Sequence, residues 1–162
     1  MNPYASHLAG AAPLEVIQET PDKLSDLVKS LSHAQVTRAP APGKWSVREI
    51  LCHLADCEIV FAFRIRQTLA ETEPVIQPFD QEAWARHYRA YDAGGALATF
   101  SMARLWNTSL LESLPAEAFA RVVTHPERGA MTLQTVVETM AGHDLNHLKQ
   151  VQNAAAALAG VD

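Results

Sequence analysis

Two histidines lie four residues apart in the segment AGHDLNHLKQV, residues 141–151. In a helix this spacing puts His143 and His147 one turn apart on the same face, where two imidazoles can bind one metal ion. Apolar residues recur three and four apart through the same segment, and both histidines fall on that apolar stripe. Because a buried imidazole needs partners for its ring nitrogens, the pattern is typical either of hydrogen-bonded core histidines or of a metal site.

A third metal ligand has to come from another helix. His53 lies on the line Ile50, His53, Cys57, Val60, which indicates the inward side of a second helix. Three neutral imidazoles suit Zn²⁺, Ni²⁺, Fe²⁺ or Cu²⁺. They also leave a coordination position for water or substrate, which is typical of catalytic metal sites. Spacing alone leaves both a three-histidine site and satisfied core histidines open.

Other side chains near these histidines could assist them. Asp56 comes three residues after His53 and could accept an imidazole N–H bond or a proton, the alternative being a solvated surface carboxylate. Asp144 follows His143 and lies about 100° round the helix from it, so its side chain is expected to face away from the site. Cys57 could reach the same metal, although a small buried core residue is the simpler interpretation.

Four long segments with helical periodicity have to position these residues. The predicted helices cover residues 13–31, 47–71, 95–114 and 132–158. Ser46 and Glu49 form a capping box that opens the second helix, and Thr132 is a plausible N-cap of the fourth. Thr20 followed by Pro21 predicts a restart or bend inside the first. Strand signals are weak apart from a short apolar piece at 121–124.

These four helices predict an all-α fold, a four-helix bundle that forms one domain over residues 1–162. The connection over residues 72–93 is long and contains the stretch DQEAWARHYRAY, which predicts a short extra helix capped by Asp80. A connection of this length favours a crossover over the simplest up-down bundle.

Composition limits the classes of function. The chain of 162 residues is 48% hydrophobic and 19% charged, which is typical of one globular domain. A net charge of −5 without a basic block disfavours nucleic-acid binding. No segment approaches the ~20 apolar residues that span a bilayer, and no signal peptide is evident. Together with two cysteines, Cys52 and Cys57, that one helix cannot bridge, these features predict a cytoplasmic protein.

Two longer stretches resemble motifs of the DinB/YfiT-like superfamily. They are PAPGKWSVREILCHLADCE, residues 40–58, and GHDLNHLKQV, residues 142–151. The resemblance extends over nearly the whole chain. It implies a four-helix bundle in which His53, His143 and His147 bind one divalent metal, with water completing the site. Zinc or nickel is the expected cofactor, with iron and manganese as alternatives.

The same resemblance implies an enzyme that acts on a small molecule. Characterised relatives are thiol-dependent transferases and an isomerase, so the metal is expected to activate a thiol or a water, as in an S-transferase or a hydrolase. One alternative is a non-catalytic bundle that binds a small molecule, with a structural metal or none. Another is a stress-related interaction protein. The apolar second helix or the Ala-rich segment 154–159 could supply a homodimer interface. Nucleic acid and membrane are not expected partners.

Overall fold

The structure is a computed structural model that describes residues 2–160. The helices are α1 (Ala5–Leu8), α2 (Pro13–Lys29), α3 (His33–Thr37), α4 (Val47–Ala70), α5 (Gln81–Ala85), α6 (Ala93–Glu112) and α7 (Leu133–Ala157). Short 3₁₀ helices cover Tyr88–Ala90 and Ala116–Ala120, and two strands are β1 (Val122–His125) and β2 (Gly129–Thr132).

The long helices α2, α4, α6 and α7 form the predicted four-helix bundle. α4 packs against α6 and α7, and α2 packs against α6 and α7, so each helix has two long neighbours. Their ends differ from the sequence prediction by at most two residues. The segment between α4 and α6 is the predicted long connection and carries α5. No helix among residues 2–160 has the length and apolar character needed to cross a membrane.

Local hydrogen bonds explain where the site-bearing helices begin. At the start of α4 the Ser46 hydroxyl accepts from the Glu49 N–H, and the Glu49 carboxylate accepts from the Ser46 N–H. At the start of α7 the Thr132 hydroxyl accepts from the Thr135 N–H. The two helices that carry the predicted ligands therefore begin at residues that local hydrogen bonds define.

The restart predicted at Pro21 is wrong, because α2 continues through it as one helix. Proline has no N–H, so the carbonyl of Ile17, four residues earlier, loses its helical partner. That carbonyl instead accepts a 2.8 Å hydrogen bond from Arg104 on α6. The hydroxyl of Thr20, just before the proline, donates a further hydrogen bond to the Val16 carbonyl of the same helix.

A β-hairpin between α6 and α7 is the main departure from the all-α prediction. β1 and β2 pair antiparallel, with Val123 opposite Met131 and both side chains buried. Only the first strand had a sequence signal, since strands of four residues are too short for a clear period of two. The hairpin brings His125 to one end of the bundle, and Val75 of the long connection pairs with Thr124.

The apolar core has two parts that meet near the middle of α4 and α7. One part includes Phe61, Val137 and Met140. The other includes Ile50, Leu54, Leu148 and Val151. Between these two clusters lie buried polar side chains, and the predicted metal ligands are among them.

Candidate metal centre

The three predicted metal ligands lie together where α4 faces α7. The ring centroids of His143 and His147 are 4.3 Å apart, and that of His53 lies 5.1 Å and 4.8 Å from them. The Nε2 atoms of His53 and His143 are only 3.0 Å apart. All three side chains are at most 5% exposed. The apolar stripe of α7 thus carries two imidazoles to meet a third from α4.

The thiol of Cys57 belongs to the same cluster. Its Sγ is 3.5 Å from Nε2 of His53 and 3.7 Å from Nε2 of His143. One donor atom from each of these three residues lies within 4.8 Å of the other two. This tight group does not include His147, whose ring is adjacent. The interpretation of Cys57 as a plain core residue missed its place among the imidazole nitrogens.

Burial keeps the imidazoles neutral. It lowers the pKa of His53 to about 3 and that of His147 to about 4, and it lowers the pKa of His143 well below the ordinary 6.5. Repulsion by the charged form of His147 further lowers the pKa of His53, and repulsion by His147 and His53 further lowers the pKa of His143. A neutral imidazole keeps a lone pair that can bind a metal.

Lowering the pH is expected to destabilise the metal-free protein. Since the pKa of His53 is lower in the folded than in the unfolded chain, the unfolded chain binds more protons below about pH 6.5. The free energy of unfolding therefore decreases as the pH is lowered below about 6.5, by at most about 1.4 kcal/mol per pH unit for each such histidine. Urea unfolding of chelator-treated protein measures this slope, which should be shallower in His53→Gln. The exposed His33, changed to Gln, serves as the control, and equal slopes in all three proteins would contradict the expectation.

A hydrogen bond orients the ring of His147. Its Nδ1 lies 2.7 Å from the side-chain oxygen of Gln150, which therefore accepts a hydrogen bond from the Nδ1–H group. This tautomer leaves the lone pair on Nε2, as in many metal sites where an outer partner holds the ligating imidazole. Gln150, which in the sequence looks like ordinary helix surface, acts as this partner.

Asp56 lies beside Tyr88 rather than beside the histidines. Burial raises the pKa of its carboxyl, and the nearby Tyr88 hydroxyl partly offsets this rise. Among the hydrogen bonds of residues 2–160 none joins Asp56 to His53. A role of Asp56 as a base or as a hydrogen-bond partner of His53 is not supported by a direct contact and stays a prediction.

The sequence of this chain is similar to those of a known superfamily. The sequence profile of the DinB superfamily matches residues 17–151, most of the chain. This protein belongs to the DinB superfamily. The curated relatives include YfiT of Bacillus subtilis (strain 168), named "Putative metal-dependent hydrolase YfiT", which is 28% identical over 85% of this chain and 79% of its own length. A relative from Oceanobacillus iheyensis, "Putative metal-dependent hydrolase OB0782", is 28% identical over 83% of this chain and 79% of its own length.

The bundle of this DinB-superfamily protein is also similar to a solved structure. YfiT from Bacillus subtilis superposes with a TM-score of 0.83 at 27% identity, covering 91% of this chain and 86% of that one. That structure is described as "a probable metal-dependent hydrolase with an unusual four-helix bundle topology". The similarity supports the predicted four-helix bundle with its long connection.

Two cavities adjoin the histidine cluster in this DinB bundle. One, of about 320 Å³, is lined by Cys57 and His143. The other, of about 330 Å³, is lined by His53 and His147. Tyr4 lines both, because the segment before α1 crosses the end of the site. A small molecule in one cavity can reach His143, and one in the other can reach His53 and His147.

Tyr4 reaches this position because α7 has a glycine beneath it. The ring of Tyr4 meets the ring of His143 edge-on, with centroids 5.2 Å apart. A Cβ built on Gly142 would lie 2.5 Å from the backbone oxygen of Tyr4 and 2.7 Å from its Cβ. No side chain fits there unless the N-terminal segment moves, so this glycine allows the segment to cover the site.

Replacing Gly142 by alanine is expected to push this segment off α7. The cost of such overpacking is about 1–3 kcal/mol, which outweighs the gain of up to about 1 kcal/mol from alanine's higher helix propensity. Gly95→Ala in α6 is the matched control, because its Cβ meets only Asp92 atoms at 3.4 Å or more. Thermal unfolding and proteolysis of residues 1–10 measure the effect. A Gly142→Ala protein as stable as the Gly95→Ala protein would contradict this close contact.

A buried charge network links α4, α6 and α7 beside the histidine cluster. The guanidinium of Arg104, 2% exposed, donates to the Glu58 carboxylate at 2.8 and 2.9 Å and forms an ion pair with Asp144. Glu58 follows Cys57 on α4, and Asp144 follows His143 on α7. Arg104 therefore links α4 to α7 through two carboxylates that are adjacent in sequence to Cys57 and His143. No sequence pattern indicated this network, since an isolated Arg or Glu usually occupies a solvated position.

Proposed function

We propose that this protein is a metal-dependent hydrolase that binds one divalent metal between α4 and α7. The observation that carries the proposal is the convergence of neutral, buried imidazoles from His53 and His143, with His147 and Cys57 beside them and two cavities adjoining the cluster. The names of the relatives YfiT and OB0782 support the same reaction class.

The spacing of the donor atoms fits a transition metal. A tetrahedral zinc ion at ordinary bond lengths would hold two imidazole nitrogens about 3.3 Å apart and a thiolate sulfur about 3.6 Å from each of them. The corresponding distances here are 3.0 Å between Nε2 of His53 and His143, and 3.5 and 3.7 Å to Sγ of Cys57. Imidazole and thiolate donors favour zinc, nickel or iron over manganese, which prefers carboxylates.

His53 and His143 belong to every ligand set that fits the site, and the third donor has two candidates. His147 is the ligand predicted from the sequence and from the resemblance, whereas the distances favour Cys57. Three protein donors leave a coordination position for substrate or water, as hydrolysis requires. Four protein donors would leave no position for substrate on a tetrahedral metal. They would favour the second candidate function, a non-catalytic bundle with a structural metal.

A divalent metal here would supply Lewis acidity, which lowers the pKa of a water or a thiol nucleophile and polarises a carbonyl. The chain's own residues position and enclose the reacting groups. Gln150 fixes the tautomer and the orientation of His147. The ring of Trp45 packs on His53 with centroids 5.0 Å apart and restricts solvent on that side. The two adjoining cavities give a small substrate room to reach the imidazoles.

Turnover measured with and without metal tests this function. Ester and amide substrates are expected to be hydrolysed by metal-loaded protein, with activity lost on chelation and restored by zinc or nickel. The same screen with a low-molecular-weight thiol and an electrophile tests the S-transferase alternative, in which product requires the thiol. A stoichiometric metal without turnover in either screen would overturn the hydrolase proposal and favour the structural metal.

Cobalt substitution is expected to reveal Cys57 as a ligand. A thiolate on Co²⁺ gives an intense sulfur-to-metal charge-transfer absorption in the near ultraviolet, which imidazole ligands do not give. We expect this absorption in wild type and in Cys52→Ser, and its loss in Cys57→Ser. Cys52 is the matched control because it is also buried on α4 but packs in the other apolar cluster. A wild-type spectrum without the absorption would instead assign the third donor to His147.

The homodimer and the cytoplasmic location also stay proposals. The predicted interface on the second helix is supported by large apolar side chains that α4 and α6 expose, which include Ile59, Phe63 and Trp106. Such a face is typical of a protein interface. Light scattering at increasing concentration tests the dimer, and a monomer throughout would remove it.

A further inference from the structure

The cavity beside Cys57 and His143 has basic side chains on its other walls. Arg64 of α4, His125 of β1 and Arg128 of the hairpin turn all line it. Among the lining residues that the structure describes, Glu127 is the one carboxylate, and its side chain is exposed. The cavity therefore combines the end of the metal centre with an excess of positive charge.

Neither arginine in this cavity has an acidic partner. Among the ion pairs of residues 2–160, none includes Arg64 or Arg128. Arg64 donates from Nη2 to the Gln77 carbonyl at 2.9 Å, but its Nε is buried and has no hydrogen-bond partner. Burial and then the charge of Arg128 lower the pKa of Arg64. Such a pair of like charges with an unsatisfied buried donor is stabilised by an anion between them.

His125 adds a third donor to the cavity. Its ring is 3% exposed, and its Nδ1 accepts a 3.1 Å hydrogen bond from the Glu127 N–H. This bond leaves the proton of the neutral ring on Nε2. The histidine, which had no role in the sequence analysis, therefore presents an N–H donor to the same cavity.

We propose that this cavity binds an oxyanion of the substrate, a carboxylate or a phosphate. Arg64 and Arg128 pair with its charge, and His125 donates a hydrogen bond from Nε2. Phe61 and Phe79 line the cavity as well and contact the carbon skeleton. The inference rests on the proposed function in one respect, since the bond to be cleaved lies at the end formed by Cys57 and His143. It assigns an anionic small molecule as the substrate class.

Anion binding to metal-free protein tests the site without a contribution from the metal. Inorganic phosphate and succinate are titrated into the chelator-treated full chain by calorimetry, at an ionic strength held constant with chloride. We expect saturable binding of at least one probe to wild type. Loss of one charge-assisted hydrogen bond should lower the association constant about tenfold or more in Arg64→Gln and in Arg128→Gln. Arg38→Gln is the matched control, because Arg38 is exposed and lines a different depression.

The outcomes separate this proposal from the metal-dependent hydrolase. Binding of succinate alone supports a carboxylate site, and binding of phosphate, alone or with succinate, supports a more general oxyanion site. No saturable binding of either probe, or equal affinity in wild type and Arg64→Gln, overturns the proposal. Metal content is measured on the same variants and should be unchanged. A protein that binds the anion but no metal would retain the anion site and lose the hydrolase.

Discussion

Replacing His143 by alanine is expected to abolish stoichiometric metal binding. Untagged wild type should carry close to one divalent ion per chain, as a single three-donor site holds. His143 contributes to the ligand set whether the third donor is His147 or Cys57. Loss of an outer partner of a ligand already costs roughly 10- to 100-fold in metal affinity, and loss of a ligand itself should cost more.

Mass spectrometry of the metal content after dialysis measures this effect. His125→Ala is the matched control, because it also removes a buried histidine but lies outside the cluster of donor atoms. Circular dichroism has to show an intact helical fold in both variants. The metal centre would be refuted if His143→Ala and His125→Ala carried as much metal as wild type, or if wild type could not be loaded with zinc or nickel.

The largest loss of stability is expected for Arg104→Met. Methionine would leave the carboxylates of Glu58 and Asp144, each 1% exposed, facing one another without a cation. Removal of one partner from a buried ion pair costs about 3–5 kcal/mol in the free energy of unfolding. The Ile17 carbonyl, which Pro21 deprives of its helical bond, would lose its partner as well.

Urea unfolding compares this variant with two others. Lys23→Met removes an exposed ion pair with Glu19 and should change the free energy of unfolding by at most about 1 kcal/mol. Combining Arg104→Met with Glu58→Gln and Asp144→Asn removes the uncompensated charges and should recover part of the loss. If Arg104→Met were no more destabilising than Lys23→Met, the network would not hold the helices together.

The sequence allowed the bundle to be predicted because its signals are local. The capping box of Ser46 and Glu49 and the cap at Thr132 define the starts of α4 and α7, and apolar periodicity defines their inner faces. The same periodicity put His143 and His147 on the buried stripe. Helices of four or five residues and four-residue strands have too few residues for any period to show, so α1, α3 and the hairpin were missed or barely indicated.

The rest of the site depends on contacts between distant parts of the chain. Arg104 meets Glu58 and Asp144 across 46 and 40 residues, and no sequence pattern selects these partners. His125 and Arg128 reach the cavity only because the hairpin folds against the end of the bundle. For Cys57, the sequence left a core residue and a metal ligand both open, and only its distances to two imidazole nitrogens favour the ligand.

The wide separation of the ligands along the chain bears on how a cell makes this protein. His53 and His143 are 90 residues apart, and α7 follows every other helix described. Since the ribosome synthesises the N-terminal part first, α4 with His53 emerges before α7 with His143. Two apolar clusters can draw α7 into place without an ion. A metal bound between these two helices would therefore enter only after α7 has packed, and cells short of the metal are expected to accumulate folded chains that can be loaded once supply returns.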